Sequence, residues 1–230
     1  MNKTFFFDLD GTLLGMDQDK FLGLYFSSLK DYLTDLKHDY KVFFYYLDLG
    51  IKAMLNNDGS KTNEEAFLLA VKPYPNIMDI FLDYYKNKFI VTKDSTYANP
   101  YSKLIIDTLK EKGYDLVLAT NPLFPRFVTE YRISWAGLNP SDFNYITSYE
   151  NSHYTKPKKA YYEEILTKLN LKPSDVIYVG NDVDDDYGDI GSNYFNSYLI
   201  RDCLINKSNK KIDILTLTLE KFYEDVIKKA

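Results

Sequence analysis

Thr4-Phe5-Phe6-Phe7-Asp8-Leu9-Asp10-Gly11-Thr12 is the stretch on which the fold turns. A short apolar run, rich in phenylalanine, stops at two acids and a glycine. An uninterrupted apolar run bounded by turn residues reads as a buried strand followed by a turn. Asp8 and Asp10 stand two apart at the end of that extended segment. The spacing can put both carboxyl groups on one side of the chain. Two carboxylates at the end of a buried strand repel each other and are costly to desolvate, so a compensating charge is expected nearby.

Outward from this strand the texture changes. From Gln18 to about Phe89, apolar residues recur at helical spacing: Phe21, Leu22, Tyr25, Phe26, Leu29 and Leu33, then Val42, Phe43, Tyr46 and Leu47. Thr62 and Glu65 form a capping box ahead of Ala66-Phe67-Leu68-Leu69. Pro73 and Pro75 end that helix, and Asn76 is placed to cap the next. This stretch predicts a subdomain of about four helices.

After Asn99 short apolar strands alternate with helices. Asn99-Pro100 opens a helix that Gly113 stops. Strands are predicted at Leu116–Ala119, Phe143–Ser148, Val176–Val179 and Tyr198–Ile200. Helices are predicted at Pro125–Trp135, Lys158–Leu169 and Leu217–Lys228, with a short one at Tyr187–Ser192. Strands alternating with helices give an α/β fold, a doubly wound parallel sheet. The helical stretch is then an insertion, so residues 1–16 and 95–230 form the α/β core and 17–94 the insert.

In an open sheet of this kind, ligands bind beyond the carboxyl ends of the strands. The residues just past each strand are therefore informative. Asp8 and Asp10 come after the first, Thr120-Asn121-Pro122 after the next core strand, and Gly180-Asn181-Asp182-Val183-Asp184-Asp185-Asp186 after a later one; Lys156 precedes a helix. A divalent cation would relieve the acid pair, and Asp182 and Asp186 can complete an oxygen-rich site. Hard oxygen donors without neighbouring His or Cys favour Mg²⁺ over zinc. Thr120 and Lys156 supply a hydroxyl and an ammonium suited to phosphate oxygens. A carboxylate nucleophile, a second carboxyl group, a metal and cationic phosphate binding are the parts for phosphoryl transfer through an aspartyl-phosphate.

These residues resemble the haloacid dehalogenase (HAD) superfamily of hydrolases. Asp8-Leu9-Asp10-Gly11-Thr12 is similar to the family's DxDGT motif, and Thr120, Lys156 and the Gly180–Asp186 run occur in family order. The resemblance implies a Rossmann-like HAD core with an inserted α-helical cap between the first two motifs. It implies Asp8 as the nucleophile and Asp10 as the acid and base. Thr120, Asn121 and Lys156 would bind the phosphoryl group. Asp8, the Asp10 carbonyl and Asp182 would hold Mg²⁺, with Asp186 supporting. One departure is Gly180-Asn181, where many members have Gly-Asp. The assignment among Asp182, Asp184, Asp185 and Asp186 therefore stays open. The expected activity is a Mg²⁺-dependent phosphatase acting on a small phosphorylated metabolite. The alternatives are a phosphosugar mutase of the same superfamily, a phospho-accepting signalling domain, and a binding protein that has lost activity.

Composition agrees with this reading. The chain has 230 residues, 45% hydrophobic and 27% charged, which suits a globular fold rather than a disordered one. A net charge of -5 argues against a nucleic-acid or acidic-membrane partner. No apolar stretch approaches the roughly 18 residues of a membrane span. Met1–Phe7 is too short for a signal-peptide core, so a cytoplasmic location is expected. Cys203 is the single cysteine and reads as a small buried hydrophobe. Arg126 and His153 are secondary candidates for contacting a substrate. The aromatic stripes of the insert read as its core.

Overall fold

The computed structural model describes residues 3–229. Strand β1 (Thr4–Phe7) lies centrally in a six-stranded sheet with β4 (Asp115–Leu118), β5 (Tyr145–Ile146), β6 (Val176–Gly180), β7 (Asn196–Ile200) and β8 (Leu215–Leu217). The spatial order is β5-β4-β1-β6-β7-β8, and every pairing is parallel. Phe7 is in register with Leu118 on one side and Val179 on the other. The chain segments after β1, β4 and β6 therefore emerge on one edge of the sheet.

The side-chain alternation of a strand explains why the run Phe5-Phe6-Phe7 is continuously apolar. Phe5 and Phe7 face a core that includes Ile105, Ile106 and Leu109 of α5 (Pro100–Glu111) and Val128 and Ile133 of α6 (Arg126–Trp135). Phe6 faces the opposite core, with Tyr161, Tyr162, Ile165 and Leu166 of α7 (Lys159–Leu169). Helices thus cover both faces of the sheet, as expected for a doubly wound fold.

Between β1 and α5 the chain forms four helices: α1 (Gln18–Asp35), α2 (Tyr40–Leu55), α3 (Asn63–Val71) and α4 (Ile77–Asn87), then a 3₁₀ segment at Phe89–Ser95. The Thr62–Glu65 capping box forms. Asp17 and Asp39 cap α1 and α2 through their carboxylates. Asn76 begins α4 in a left-handed conformation, without the expected side-chain cap. The aromatic stripes do pack as core: Phe81 meets Phe43 tilted and Phe67 edge-on.

Two short strands join this helical layer to the sheet. Leu14–Met16 (β2) pairs antiparallel with Thr96–Ala98 (β3), so the outgoing and returning chains run side by side. A side chain at Gly15 would meet the Tyr97 ring, 2.2 Å from its Cζ. Elsewhere the structure corrects four expectations. Tyr187–Ser192 forms turns instead of a helix, and the strand expected over Phe143–Ser148 shrinks to Tyr145–Ile146. Leu217 belongs to β8, because Thr218 caps the last helix, α8 (Leu219–Phe222), through its hydroxyl; Tyr223–Ile227 continues it with π-helical geometry. Cys203 is half-buried rather than buried, with its Sγ 3.6 Å from the Tyr97 hydroxyl. Among the described residues, no helix is long and apolar enough to cross a membrane.

Candidate active site

Asp8 is the first residue beyond β1, and its amide donates to the Val179 carbonyl of β6 at 2.9 Å. The chain then turns sharply: the Thr12 and Leu14 amides both donate to the Leu9 carbonyl. Gly11 adopts a φ of 86°, and a Cβ there would lie 2.2 Å from the Asn181 amide nitrogen. Glycine is required at this point for both reasons. Asn181 clamps the turn: its Oδ1 accepts from the Thr12 hydroxyl at 2.9 Å, and its Nδ2 donates to the Cys203 carbonyl at 2.7 Å. The departure from the usual family pattern thus has a structural use, tying the loop after β6 to the loop after β1.

Lys156 is buried and bonds two acids at once. Its Nζ lies 2.7 Å from Asp8 Oδ1 and 2.6 Å from Asp186 Oδ1. Asp186 is equally committed. Its Oδ1 also accepts from the Tyr178 hydroxyl at 2.7 Å, and its Oδ2 accepts from the amides of Asn181 and Asp182, each at 2.9 Å. Burial and the neighbouring Asp186 push the Tyr178 hydroxyl well above its ordinary range, so it remains a donor. Burial alone would lower the Lys156 ammonium, but Asp186 and Asp8 outweigh that and hold it well above its ordinary value. Asp8 is pushed up to about 7, first by burial, with Lys156 opposing and the Asp186 and Asp10 carboxylates adding.

Asp10 is held from another direction. Its Oδ2 accepts from Nη1 of Arg132, whose side chain is buried in α6 and lies with its guanidinium 4.7 Å from the centre of the Phe124 ring. Oδ1 of Asp10 is buried without a partner among the described residues. Thr120 is buried just after β4, and its carbonyl accepts from the Thr147 and Tyr161 hydroxyls at 2.7 and 2.9 Å. Asn121 donates to Asp185 Oδ2 at 3.4 Å. Asp182 is half-buried; its Oδ1 accepts from the amides of Asp184 and Asp185 at 2.8 and 3.0 Å. Burial raises its carboxyl above the ordinary value.

The structure therefore groups Asp8 and Asp186 around Lys156, and the Asp10 carboxylate adds to the charge that raises Asp8. Asp184 belongs elsewhere, bonded to Ser208 and Lys210, which hold it down at about 2. Arg126 pairs with Glu130 at 2.8 Å, and His153 with Glu164 at 2.7 Å. Neither contacts the acids after β1. Arg132 and Tyr178 escape a reading of the sequence. Arg132 carries a signal: it sits in the buried stripe Val128-Arg132-Ala136, where an arginine needs a buried partner.

Buried acids, a lysine and a threonine at one edge of a doubly wound sheet define an α/β enzyme. The chain belongs to the haloacid dehalogenase-like hydrolases: the family model of that description matches residues 2–187. Three solved structures are similar across nearly the whole chain. A HAD phosphatase from Thermococcus onnurineus shares 16% identity over 96% of each chain, with a TM-score of 0.57. A predicted phosphatase from Clostridium acetobutylicum shares 19% over 99% of this chain and 100% of that one, at 0.58. A putative HAD hydrolase from Bacillus subtilis, described as bound to magnesium, shares 18% over 96% and 97%, at 0.56. At these identities the likeness is one of fold. No curated protein matches the chain.

Proposed function

We propose that the protein is a Mg²⁺-dependent phosphatase that hydrolyses small phosphate monoesters through an aspartyl-phosphate on Asp8. The observation that carries this reading is the bridge from Lys156 to Asp8 and Asp186 beside a separately anchored Asp10. It supports different roles for the two acids after β1. A nucleophile needs a fixed carboxylate oxygen near a cation, and Lys156 provides this for Asp8. An acid–base group needs an oxygen left open for the proton, and Oδ1 of Asp10 is that oxygen.

In the first half-reaction an Asp8 oxygen attacks phosphorus. The bond from phosphorus to the leaving oxygen breaks, and Asp10 gives that oxygen a proton. In the second, Asp10 takes a proton from water, whose oxygen attacks phosphorus. The bond to Asp8 breaks, releasing inorganic phosphate. Lys156 and the Thr120 hydroxyl would hold phosphoryl oxygens, with Asn121 at their edge.

The donor set fits Mg²⁺. Among the described residues, no three His, Cys, Asp or Glu side chains converge to hold a metal. Mg²⁺ characteristically takes one or two carboxylates and completes its shell with water and substrate phosphate. Asp8, the Asp10 carbonyl and Asp182 would hold it, and Asp186, its oxygens already engaged, braces Lys156 behind them. When bound, the cation supplies charge to offset the acids and the incoming phosphate. The helical insert, residues 17–94, would act as a cap that excludes water and selects substrate.

The test is phosphate release from an aryl phosphate with and without Mg²⁺, for the wild type and Asp8→Asn. Mg²⁺-dependent release that vanishes in the variant is expected. Undiminished release in Asp8→Asn would exclude Asp8 as the nucleophile.

A further inference from the structure

A cavity of about 280 Å³ lies between the helical insert and the sheet edge. Asp10 borders it. Its walls are apolar: Phe21, Leu47, Met54 and Phe81 from the insert, Leu123 and Phe124 from the segment after β4. Several polar tips on these walls are already engaged, and Asp185, which also lines the cavity, accepts from Asn121 at 3.4 Å. Tyr25 and Tyr85 bond each other through their hydroxyls at 3.1 Å. The Gln18 side-chain oxygen accepts from Lys207 at 3.3 Å.

The unengaged polar atoms lie elsewhere on the same cavity. Among the described residues, three buried side-chain polar atoms lack a hydrogen-bond partner: Asp10 Oδ1, Asn121 Oδ1 and Arg132 Nε. All three residues line this cavity. Buried polar atoms are ordinarily satisfied, so a cluster of exceptions in one place marks where a ligand's polar part belongs. The cavity therefore has an unsatisfied polar end and apolar walls.

We infer that the substrate is a phosphate monoester of an apolar, ring-bearing alcohol or phenol. The inference rests on the proposed hydrolysis at Asp8 and Asp10. If Asp10 gives its proton to the leaving oxygen, that oxygen must lie beside Asp10. The remainder of the leaving group then extends away from phosphorus, into the space Asp10 borders. That space offers an aromatic ring close contacts with Phe21, Phe81 and Phe124. A sugar placed there would exchange water hydrogen bonds for apolar walls at most of its hydroxyls, which disfavours it. The same argument disfavours a phosphosugar mutase.

The test compares phosphate release from benzyl phosphate and from glucose 6-phosphate in the presence of Mg²⁺. A kcat/KM at least tenfold higher for benzyl phosphate is expected. A smaller preference, or the reverse, overturns the inference and leaves the phosphatase reading intact. Binding is measured separately by calorimetry with benzylphosphonate and methylphosphonate, neither of which carries an ester to hydrolyse. Tighter binding of the benzyl compound, by tenfold or more, is expected. If no ester is hydrolysed but this difference is found, the hydrolysis reading falls and the apolar preference stands. If neither is found, both fall. Leu22 also lines the cavity and is 43% exposed, so Leu22→Gln is tolerable for folding. It should lower the benzyl-to-glucose ratio at least threefold. An unchanged ratio in a variant with wild-type Tm overturns the inference.

Discussion

Arg132 grips one oxygen of Asp10 and leaves the other bare: Nη1 donates to Oδ2, while Oδ1 is buried without a partner among the described residues. An acid–base group has to keep its orientation while its proton state changes. A charge-assisted bond to one oxygen does this without occupying the other. Arg132→Met should therefore lower kcat/KM for phosphate release on the order of tenfold to a hundredfold. Arg132→Lys should recover only part of the loss, because an ammonium cannot reproduce the planar guanidinium over Phe124. Full activity in Arg132→Met would show that Asp10 is oriented by other contacts.

Lys156 faces a different load, since it bridges Asp8 and Asp186 in the buried centre. Removing one partner of a buried ionic group leaves the others uncompensated. Lys156→Met should lower stability by about 3–5 kcal/mol. A shift of the urea midpoint with an unchanged slope would register it. Phosphate release should be lost as well. A stable variant would mean that the two acids take up protons cheaply when the lysine is gone.

On the proposed reading, in which Asp8 helps hold Mg²⁺, its raised carboxyl should make cation binding depend on pH. In the unfolded chain an aspartate has lost its proton above about pH 4. In the folded, metal-free protein Asp8 keeps its proton up to about 7, because burial disfavours the charged form. Between those limits the folded state binds more protons, so the contribution of Asp8 to stability declines as pH rises through this window. Above it, the carboxylate is ionised and ready for a cation. At fixed subsaturating Mg²⁺, the rise in Tm should be larger at about pH 8 than at about pH 6. Equal shifts would separate Asp8 from the metal site.

Two glycines should respond in opposite directions to the same substitution. A Cβ at Gly180 would lie 2.2 Å from Asp186 Oδ2, an oxygen fixed by two amides. Gly180→Ala should cost about 1–3 kcal/mol through overpacking. Gly23 lies on the exposed face of α1 with nothing within 4 Å of its would-be Cβ. Gly23→Ala should stabilise by about 0.5–1 kcal/mol through helix propensity. Thermal unfolding of both variants checks the pair.

Much of this architecture is readable in the sequence because it depends on local signals. β1 and β6 are short apolar runs ending in acids, and the Thr62 and Asn99 caps need only neighbouring residues. The ribbon of β2 and β3 is not readable, since three-residue strands carry little periodicity and their pairing joins distant segments. Arg132 and Tyr178 escape notice for a related reason. Each looks like part of an apolar stripe, and the partner that explains it lies on another element. The expected helix at Tyr187–Ser192 gives way to turns already from Tyr187, and Gly191 takes a φ of 68°.

The ribbon has a further consequence for how the sequence can change. Because Met16 and Thr96 sit opposite each other, the long excursion through α1–α4 departs and returns at one doorway. The entropy of closing such a loop grows only with the logarithm of its length. Residues can be added to or removed from the excursion with little penalty to the sheet, provided the doorway is kept. The cavity walls beside Asp10 and the carboxylates after β1 are thereby free to diversify at different speeds. A lineage could exchange its choice of substrate while the reacting centre stays the same.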